Sequence, residues 1–209
     1  MNRFSCLLMM LMSISSIIYA DQQDCKTPVL VKGMVILQKN CVYHQKLLIK
    51  SSDTTLNCNG ALIDGQRMLE HAISIVGDAR TFPINNVKIL NCRIENFKGS
   101  GVRIYLSNAP RVEDWKKYFT LAPQNILLDG LSIKNVGAAG LHVFNHVNHV
   151  TLQNSMVERS RMAVYFGYHT RDNSVLNNIF IGNGLDLDRK NPRETIAIDS
   201  SANNIISGN

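Results

Sequence analysis

The chain has 209 residues, a net charge of +6, 45% hydrophobic residues and 18% charged residues, enough for one domain with a substantial core. It has no run of basic residues and no nucleic-acid-binding motif, so nucleic acid is not an expected partner. The modest positive charge suits anionic partners such as uronic-acid or sulfated glycans, or it serves solubility alone.

Residues 1–20 have the layout of a secretory signal peptide. Asn2 and Arg3 precede an apolar run over 4–19, and Ala20 is the small residue expected at a cleavage site. An N-terminal membrane anchor is the alternative, but the run is short for a span and no charge cluster follows it. We therefore expect cleavage after Ala20 and an exported protein, periplasmic or secreted, that is not held in a membrane.

Export places the cysteines in an oxidising compartment, where disulfides are expected. Removal of the signal peptide leaves four cysteines, with three possible pairings. Cys25 with Cys41 is the preferred pair, because both precede the repeats further along the chain and can fix an N-terminal cap region over 21–53. Cys58 and Cys92 lie near equivalent bends of neighbouring repeats, and they either pair or stack as buried thiols. The spacings do not match a zinc site.

A weak repeat runs through 54–209. Each unit has a short apolar strand, an Asn or small residue at a bend, another apolar residue and, in most units, a closing strand; these closing strands are 72–75, 101–104, 140–143, 163–166 and 195–198. Units of this kind bury their apolar faces against one another. Because they contain strands and show no helical period, the sequence predicts a parallel β-helix. An antiparallel sandwich is the alternative, but it does not require the bend and the closing apolar pair to recur in phase.

Asparagine at the bends has a structural interpretation. Asn tolerates left-handed backbone angles and hydrogen-bonds neighbouring backbone in short turns. In the same place on successive coils it also forms amide ladders. We therefore assign the Asn-rich composition no functional role.

Three segments depart from the repeat and are predicted to be loops: 76–85, 106–124 and 184–193. Long insertions in stacked repeats often emerge on the binding face. At the C-terminal end, residues 203–209 begin a new repeat unit just before the sequence stops. A bare end of a β-helix exposes strand edges and core, so we expect the chain to be truncated relative to a longer parent, or a partner to cover this end.

The phased strand–Asn–strand units, the segment Leu-Asn-Cys-Asn-Gly at 56–60 with Asp-Gly at 64–65, and Ile-Ala-Ile-Asp-Ser-Ser at 196–201 resemble exported right-handed parallel β-helix proteins of the pectate lyase-like superfamily. The resemblance covers 54–209 and implies an all-β solenoid of stacked three-strand coils. It does not imply one activity, because that superfamily includes lyases, epimerases and non-catalytic periplasmic proteins. The clustered Asp pairs of its hydrolases and the Asp-Pro-His-Asp motif of its epimerases are absent from this sequence.

The outward residues of the closing strands supply candidate catalytic groups. The residue between the two inward apolar positions forms a column of Ser74, Arg103, His142, Tyr165 and Ala197. Strands in a stack lie about 4.8 Å apart, so the middle three are predicted to form one stripe. Arg103 suits charge stabilisation of an enolate-like intermediate, His142 proton abstraction and Tyr165 proton donation. Together these roles fit β-elimination or epimerisation of a uronate polymer. The alternative is that they are ordinary polar residues on an outer face.

Further side chains are predicted to bind substrate beside the stripe or from the 106–124 loop: Tyr105, His146, Tyr168, Asp199, Trp115 and Tyr118. The alternative for the loop aromatics, which include Phe119, is that they anchor the insertion onto the barrel. His146 has turn hydrogen bonding as its alternative role. His44, His71 and His169 are isolated in the sequence and receive no role.

No cofactor is predicted. Calcium is conceivable at Asp186 and Asp188 with Asn183, because hard oxygen ligands suit it, but adjacent basic residues favour a solvated loop. Glu194 and Asp199 bracket the last closing strand and form only a weak candidate acid pair.

Two classes of function follow. The first is an exported enzyme, a lyase or epimerase acting on an acidic polysaccharide. The second is a non-catalytic β-helix protein that binds a glycan or a partner protein. The sequence defines neither the polymer nor the oligomeric state.

Overall fold

The computed structural model describes residues 25–27, 29–109, 115–184 and 193–209, without the side chain of Trp115. The strands are, in chain order, β1 (Leu30–Val31), β2 (Met34–Ile36), β3 (Val42–Tyr43), β4 (Leu47–Ile49), β5 (Thr54–Asn57), β6 (Leu62–Asp64), β7 (Ile73–Asp78), β8 (Asn85–Leu90), β9 (Arg93–Glu95), β10 (Val102–Ser107), β11 (Gln124–Asp129), β12 (Ser132–Lys134), β13 (Ala139–Phe144), β14 (Val150–Gln153), β15 (Met156–Glu158), β16 (Met162–Gly167), β17 (Ser174–Leu176), β18 (Ile179–Ile181), β19 (Ile196–Asp199) and β20 (Ile205–Ser207). One short helix, α1 (Trp115–Tyr118), lies between β10 and β11.

Every third strand joins the same sheet. The first sheet has seven strands in the order β1-β4-β7-β10-β13-β16-β19, the second has seven in the order β2-β5-β8-β11-β14-β17-β20, and the third has six in the order β18-β15-β12-β9-β6-β3. All pairings between these strands are parallel. Each coil thus gives one strand to each sheet, which confirms the predicted all-β parallel β-helix and excludes the antiparallel sandwich.

The core is made of columns of stacked apolar side chains. On the seven-stranded sheet that contains β7, Ile75 pairs with Ile104, Ile104 with Val143, and Val143 with Phe166, and all four are fully buried. A one-residue slip would turn each strand's apolar side chains outward, and full burial of one such side chain stabilises the fold by about 1.5–3 kcal/mol. The inward positions therefore fix the register, and the register fixes which residues face outward.

The bends behave as the Asn pattern predicts. Asn96 and Asn135 have φ angles of 61° and 55°, the left-handed region that Asn tolerates better than most residues. The Asn135 amide donates to Asn96 Oδ1 at 3.4 Å, and the Asn96 amide donates to Asp64 Oδ1 at 3.1 Å. In a second ladder, the buried Asn178 amide donates to Oδ1 of the exposed Asn209 at 2.8 Å. The predicted ladders are confirmed.

The region predicted to be an N-terminal cap, 21–53, contains more regular structure than expected. Strands β1 to β4 lie within it, and they pair with β4, β5, β6 and β7 as members of all three sheets. The described part of this region therefore forms a coil of the β-helix, although its strands are too short to show a clear alternation in the sequence.

Two disulfides tie the early coils together. Cys25 bonds to Cys41, as predicted, and Cys58 bonds to Cys92, which decides between pairing and stacked thiols. The second bond joins the ends of β5 and β8 on adjacent coils. Both fit an oxidising environment. Among the residues described, no helix is long and apolar enough to cross a membrane.

Candidate functional site

The predicted outward column exists. On the sheet β1-β4-β7-β10-β13-β16-β19, Arg103 pairs with Ser74 on one side and with His142 on the other, and Tyr165 pairs with both His142 and Ala197. We refer to Arg103, His142 and Tyr165 as the stripe. All three side chains are half-buried, so each combines a fixed position with access to solvent.

Arg103 is a cation without a carboxylate partner among the described residues. Its guanidinium carbon lies 4.6 Å from the centre of the Tyr105 ring and 4.8 Å from that of Phe144. Its Nη1 lies 3.1 Å from Nε2 of His71, and its buried Nε has no hydrogen-bond partner in the part of the chain that the structure describes. Aromatic faces attract a cation, but they do not replace the hydrogen-bond acceptors that a buried N–H requires. The site therefore has unused capacity to bind an anion.

A second outward column lies two residues further along each strand. Tyr105 pairs with Phe144, Phe144 with Gly167, and Gly167 with Asp199. The Tyr105 and Phe144 rings stack with centres 5.1 Å apart and planes 9° from parallel. This pair supports Arg103 and gives the sheet a flat aromatic surface. Phe144 was not predicted as a site residue, although it has the same outward spacing after His142 that Tyr105 has after Arg103.

His142 lies at the centre of the stripe. Its ring centre is 4.8 Å from that of Phe144 and 4.9 Å from that of Tyr165, the latter edge-on. Its Nδ1 lies 3.4 Å from the Ser100 hydroxyl. Burial, with smaller effects of Arg103 and then His71, lowers the pKa of His142 to about 4. The imidazole is therefore neutral at neutral pH, able to accept a proton but a weaker base than an exposed histidine.

Tyr165 and Asp199 form the far end of the stripe. The Tyr165 hydroxyl donates to Asp199 Oδ2 at 3.3 Å. Burial, followed by the charge of Asp199, raises the pKa of Tyr165, so the phenol keeps its proton at neutral pH. A Cβ on Gly167 would overlap the Tyr165 ring. Gly167 thus leaves the space in which the ring leans toward Asp199.

His71 belongs to the site, although it is isolated in the sequence and no role was predicted for it. Its Nδ1 accepts a hydrogen bond from the Ser100 backbone N–H at 2.9 Å, while Nε2 faces Arg103. Burial, followed by the charge of Arg103, lowers the pKa of His71. A Cβ on Gly99 would overlap the imidazole. The sequence feature that could have indicated this contact is the Gly-Ser-Gly run at 99–101, because its small residues let the preceding coil, which carries His71, approach closely.

The remaining predicted substrate-binding residues differ in position. Tyr168 is exposed at 44% and follows Tyr165, at the far end of the stripe, by three residues. His146 is only 2% exposed, and its ring contacts within the described structure are with Tyr118, Phe119 and His169. The structure therefore does not bring His146 to the stripe, because it packs beneath the insertion.

The insertion between β10 and β11 is anchored by its aromatic residues. Tyr118 and Phe119 are buried, and Tyr118 packs with Leu106 and Ala122. This contact favours the anchoring role over sugar stacking for Tyr118. The side chain of Trp115 lies outside the described residues, so its predicted role stays a prediction.

The calcium hypothesis also falls largely outside the described structure, which does not include Asp186 or Asp188. Asn183 donates its amide to the Val157 carbonyl oxygen at 2.7 Å and accepts from the Ser160 backbone N–H at 2.9 Å, so it already has a structural role. Glu194 is exposed. In the described ranges, no group of three or more His, Cys, Asp or Glu residues is arranged to hold a metal ion.

A cleft of about 360 Å³ opens at the end of the strands that carry Tyr165 and Asp199. Its lining includes Arg171, Ser200 and Asn203. Ser200 connects this cleft to the stripe, since its hydroxyl donates to Asp199 Oδ1 at 3.2 Å. Polar groups therefore continue beyond the stripe in the chain direction of the sheet.

Comparison with known protein families, with curated proteins and with solved structures finds no match to this chain. The class of protein is defined by the structure itself: a parallel β-helix stabilised by disulfides, with a cationic, aromatic-lined stripe on one seven-stranded sheet.

Proposed function

We propose that this chain is an exported β-helix protein, similar in kind to the pectate lyase-like superfamily, that binds an acidic polysaccharide along the stripe. One observation carries the proposal: the half-buried guanidinium of Arg103 has no carboxylate partner among the described residues and retains an unsatisfied Nε–H. A uronate or sulfate group supplies the missing charge and acceptors, and hydrogen bonds between ionised groups are about twice as strong as neutral ones.

The neighbouring groups suit a sugar polymer better than a small ion. His142 and Tyr165 are neutral at neutral pH, so they hydrogen-bond hydroxyl groups without repelling or attracting charge. The Tyr105–Phe144 stack provides an apolar surface, as the faces of sugar rings require. The stripe spans about 10 Å over three strands, and the cleft at Arg171 extends the polar surface for further sugar units.

The direct test is calorimetric titration of the protein with oligogalacturonate and with a neutral oligosaccharide of equal length. Arg103→Gln removes the charge, and we expect at least a tenfold loss of affinity for the acidic ligand. Lys88→Gln is the matched control, because Lys88 is exposed on a different sheet and its loss changes net charge equally. Equal affinity of wild type for acidic and neutral ligands, or equal losses in the two variants, would contradict the proposal.

A second candidate function is cleavage or epimerisation of the bound uronate. The observation that favours it is the placement of an unprotonated His142 between Arg103 and Tyr165. His142 takes the proton from the carbon beside the carboxylate, and Arg103 stabilises the electrons that move onto that carboxylate. In elimination, the bond to the leaving oxygen then breaks and Tyr165 protonates this oxygen. In epimerisation, a proton returns to the opposite face of the carbon.

Absorbance at the band of unsaturated uronates distinguishes elimination from binding. The protein is incubated with pectate, alginate and glycosaminoglycans, with and without calcium. A signal that His142→Ala abolishes while the variant stays folded establishes elimination. A flat trace from protein that binds the polymer excludes elimination and leaves binding or epimerisation. Incorporation of deuterium into the uronate from deuterated water then indicates epimerisation, and its absence indicates binding alone.

A further inference from the structure

The tautomer of His71 is determined by the backbone. A neutral imidazole carries one proton, so one ring nitrogen donates and the other accepts. Nδ1 of His71 lies 2.9 Å from the Ser100 backbone nitrogen and accepts its N–H. Because this peptide N–H is a fixed donor, the His71 proton must reside on Nε2. The lowered pKa of His71 agrees with a neutral ring at neutral pH.

This tautomer leaves two donors facing each other. Nε2 of His71 lies 3.1 Å from Nη1 of Arg103, and a guanidinium has no acceptor at all. The reverse tautomer only moves the conflict to Ser100, where Nδ1–H would face the peptide N–H. Two donors 3.1 Å apart can both reach one oxygen atom at ordinary hydrogen-bond length. The pair is thus arranged for one acceptor that lies to the side of both nitrogens, within hydrogen-bond distance of each.

We infer that His71 and Arg103 form a clamp for one oxyanion, the carboxylate or sulfate of a bound glycan, with His71 Nε2–H and the Arg103 guanidinium donating together. This inference deepens the proposed function and rests on it for the identity of the glycan. It adds a binding residue that lies outside the strands and assigns the anionic group of the sugar to the Arg103 end of the stripe.

The surrounding residues hold the clamp in place. Gly99 leaves room for the imidazole, since a Cβ there would overlap it. Ser100 connects both histidines, with its backbone N–H on His71 and its hydroxyl 3.4 Å from His142 Nδ1. Tyr105 and Phe144 flank the guanidinium. The oxyanion therefore meets donors whose positions are already fixed before it binds.

The first test needs no glycan. Imidazole nitrogen chemical shifts distinguish the two neutral tautomers, and we expect the proton of His71 on Nε2. A proton on Nδ1 would overturn the inference, because Nε2 would then accept from Arg103 and no pair of donors would exist. Titration with sodium sulfate should shift the Nε2 signal to saturation in wild type and leave it unchanged in Arg103→Gln.

The second test uses two substitutions of His71 with oligogalacturonate and with a sulfated heparin oligosaccharide as ligands. Asn places an oxygen near the position of Nδ1 and has no group at Nε2, whereas Gln places an amide nitrogen near Nε2. For whichever of the two acidic ligands binds wild type, we expect His71→Asn to bind about tenfold more weakly. We expect His71→Gln to retain most of the wild-type affinity. Thermal unfolding confirms that both variants fold.

The outcomes separate the two proposals. Wild-type binding that His71→Asn leaves unchanged overturns the clamp and keeps the proposed function. Saturable sulfate binding at His71 without binding of either acidic oligosaccharide overturns the proposed function and keeps the clamp. Failure of both titrations overturns both. The ligand that binds more tightly decides whether the natural oxyanion is a carboxylate or a sulfate.

Discussion

At the scale of single residues, the stripe combines one permanent charge with two groups that stay neutral. A guanidinium is charged at every physiological pH, whereas His142 has a lowered pKa and Tyr165 a raised one, both chiefly because of burial. Recognition of an acidic sugar by this surface depends on Arg103 for charge and on the other two for hydrogen bonding. The ionisation of the stripe is therefore constant across the neutral range.

The buried histidines make stability depend on pH. Burial lowers the pKa of His142 to about 4, and burial followed by the charge of His169 lowers that of His146 to about 4. The unfolded chain, with histidine pKa values near 6.5, then binds more protons than the folded one between pH 6.5 and 4. The stabilisation is complete above about pH 6.5 and is lost as pH falls toward 4, by roughly 2 kcal/mol for each histidine.

Urea unfolding at several pH values measures this loss. His142→Gln and His146→Gln, which do not titrate, should each show a smaller drop in unfolding free energy between pH 7 and 4 than wild type does. A drop of the same size in wild type and in both variants would show that other groups cause the acid sensitivity.

A side chain at Gly167 should displace the ring of Tyr165. We expect Gly167→Ala to lower the free energy of unfolding by about 1 kcal/mol, the low end of the usual cost of overpacking, since the new Cβ overlaps the outer end of the Tyr165 side chain. In a Tyr165→Ala background the same change should cost little. A double-mutant cycle measured by urea unfolding gives the coupling energy, and additive effects would mean that the two positions do not collide.

The position of the stripe can be predicted from the sequence, but the residues that hold it in place cannot. The inward apolar pairs define which residues of each closing strand face the core and which face outward. The alignment of Arg103, His142 and Tyr165 therefore followed from this alternation alone. His71 lies outside a strand, and its contact with Arg103 depends on the backbone path at Gly99 and Ser100, which no periodicity encodes. His146 illustrates the opposite error: it follows a strand closely, but a left-handed φ of 66° and the insertion place it in the interior.

At the scale of elements, short strands depend on links between coils. Every strand in the described part of the chain has only two to six residues, and an isolated strand of this length is not stable in water. Amide ladders such as Asn178 with Asn209 satisfy buried backbone groups from one coil to the next. The insertion is attached in a different way, through the apolar packing of Tyr118 and Phe119, which explains why it interrupts the repeat without breaking the stack.

The disulfides should contribute according to the loops they close. Cys58–Cys92 spans 34 residues and Cys25–Cys41 spans 16, and loop-closure entropy predicts about 4 and about 3 kcal/mol, respectively. Replacing both cysteines of one pair by Ala therefore should destabilise the protein, more strongly for the longer loop. Guanidinium unfolding of the two double variants measures this, and wild-type stability in the Cys58→Ala/Cys92→Ala variant would contradict it.

The elements themselves were largely predictable, with one informative exception. The coils from β5 onward include strands of four to six residues with clear alternation, whereas the four strands β1 to β4 are all only two or three residues long and have too few positions to show a period. Their place in the sheets is determined by pairing with later coils, which is tertiary information. The sequence also left the Cys58–Cys92 disulfide undecided, since cysteines at neighbouring bends can form a bond or stack as thiols equally well.

At the scale of the whole molecule, the stack of coils turns outward residues into continuous surfaces. Pairing in register carries the stripe across three coils on one sheet, and the turns that lead into β7 and β10 place His71 and Ser100 beside it. The net charge of +6 adds a long-range attraction for polyanions to these specific contacts. The affinity for an acidic polymer should accordingly have two electrostatic contributions, one from the contacts of the stripe and one from the long-range attraction of the net charge.

Salt separates these two parts. Screening lengths fall from about 30 Å at 0.01 M to about 10 Å at 0.1 M salt, so we expect affinity for oligogalacturonate to fall severalfold over this range. Arg103→Gln should weaken binding at every salt concentration, while Lys88→Gln should matter only at low salt. Binding that is independent of salt would argue against recognition of an anionic ligand.

A heteronuclear NMR titration of the protein with oligogalacturonate, with the chemical-shift changes assigned to residues, shows whether an acidic glycan binds at the stripe. We expect the largest changes at Arg103, His142, Tyr165 and their neighbour His71, and we expect them to saturate together. Saturable changes confined to another sheet or to the insertion would contradict this expectation, as would no change at all from folded protein.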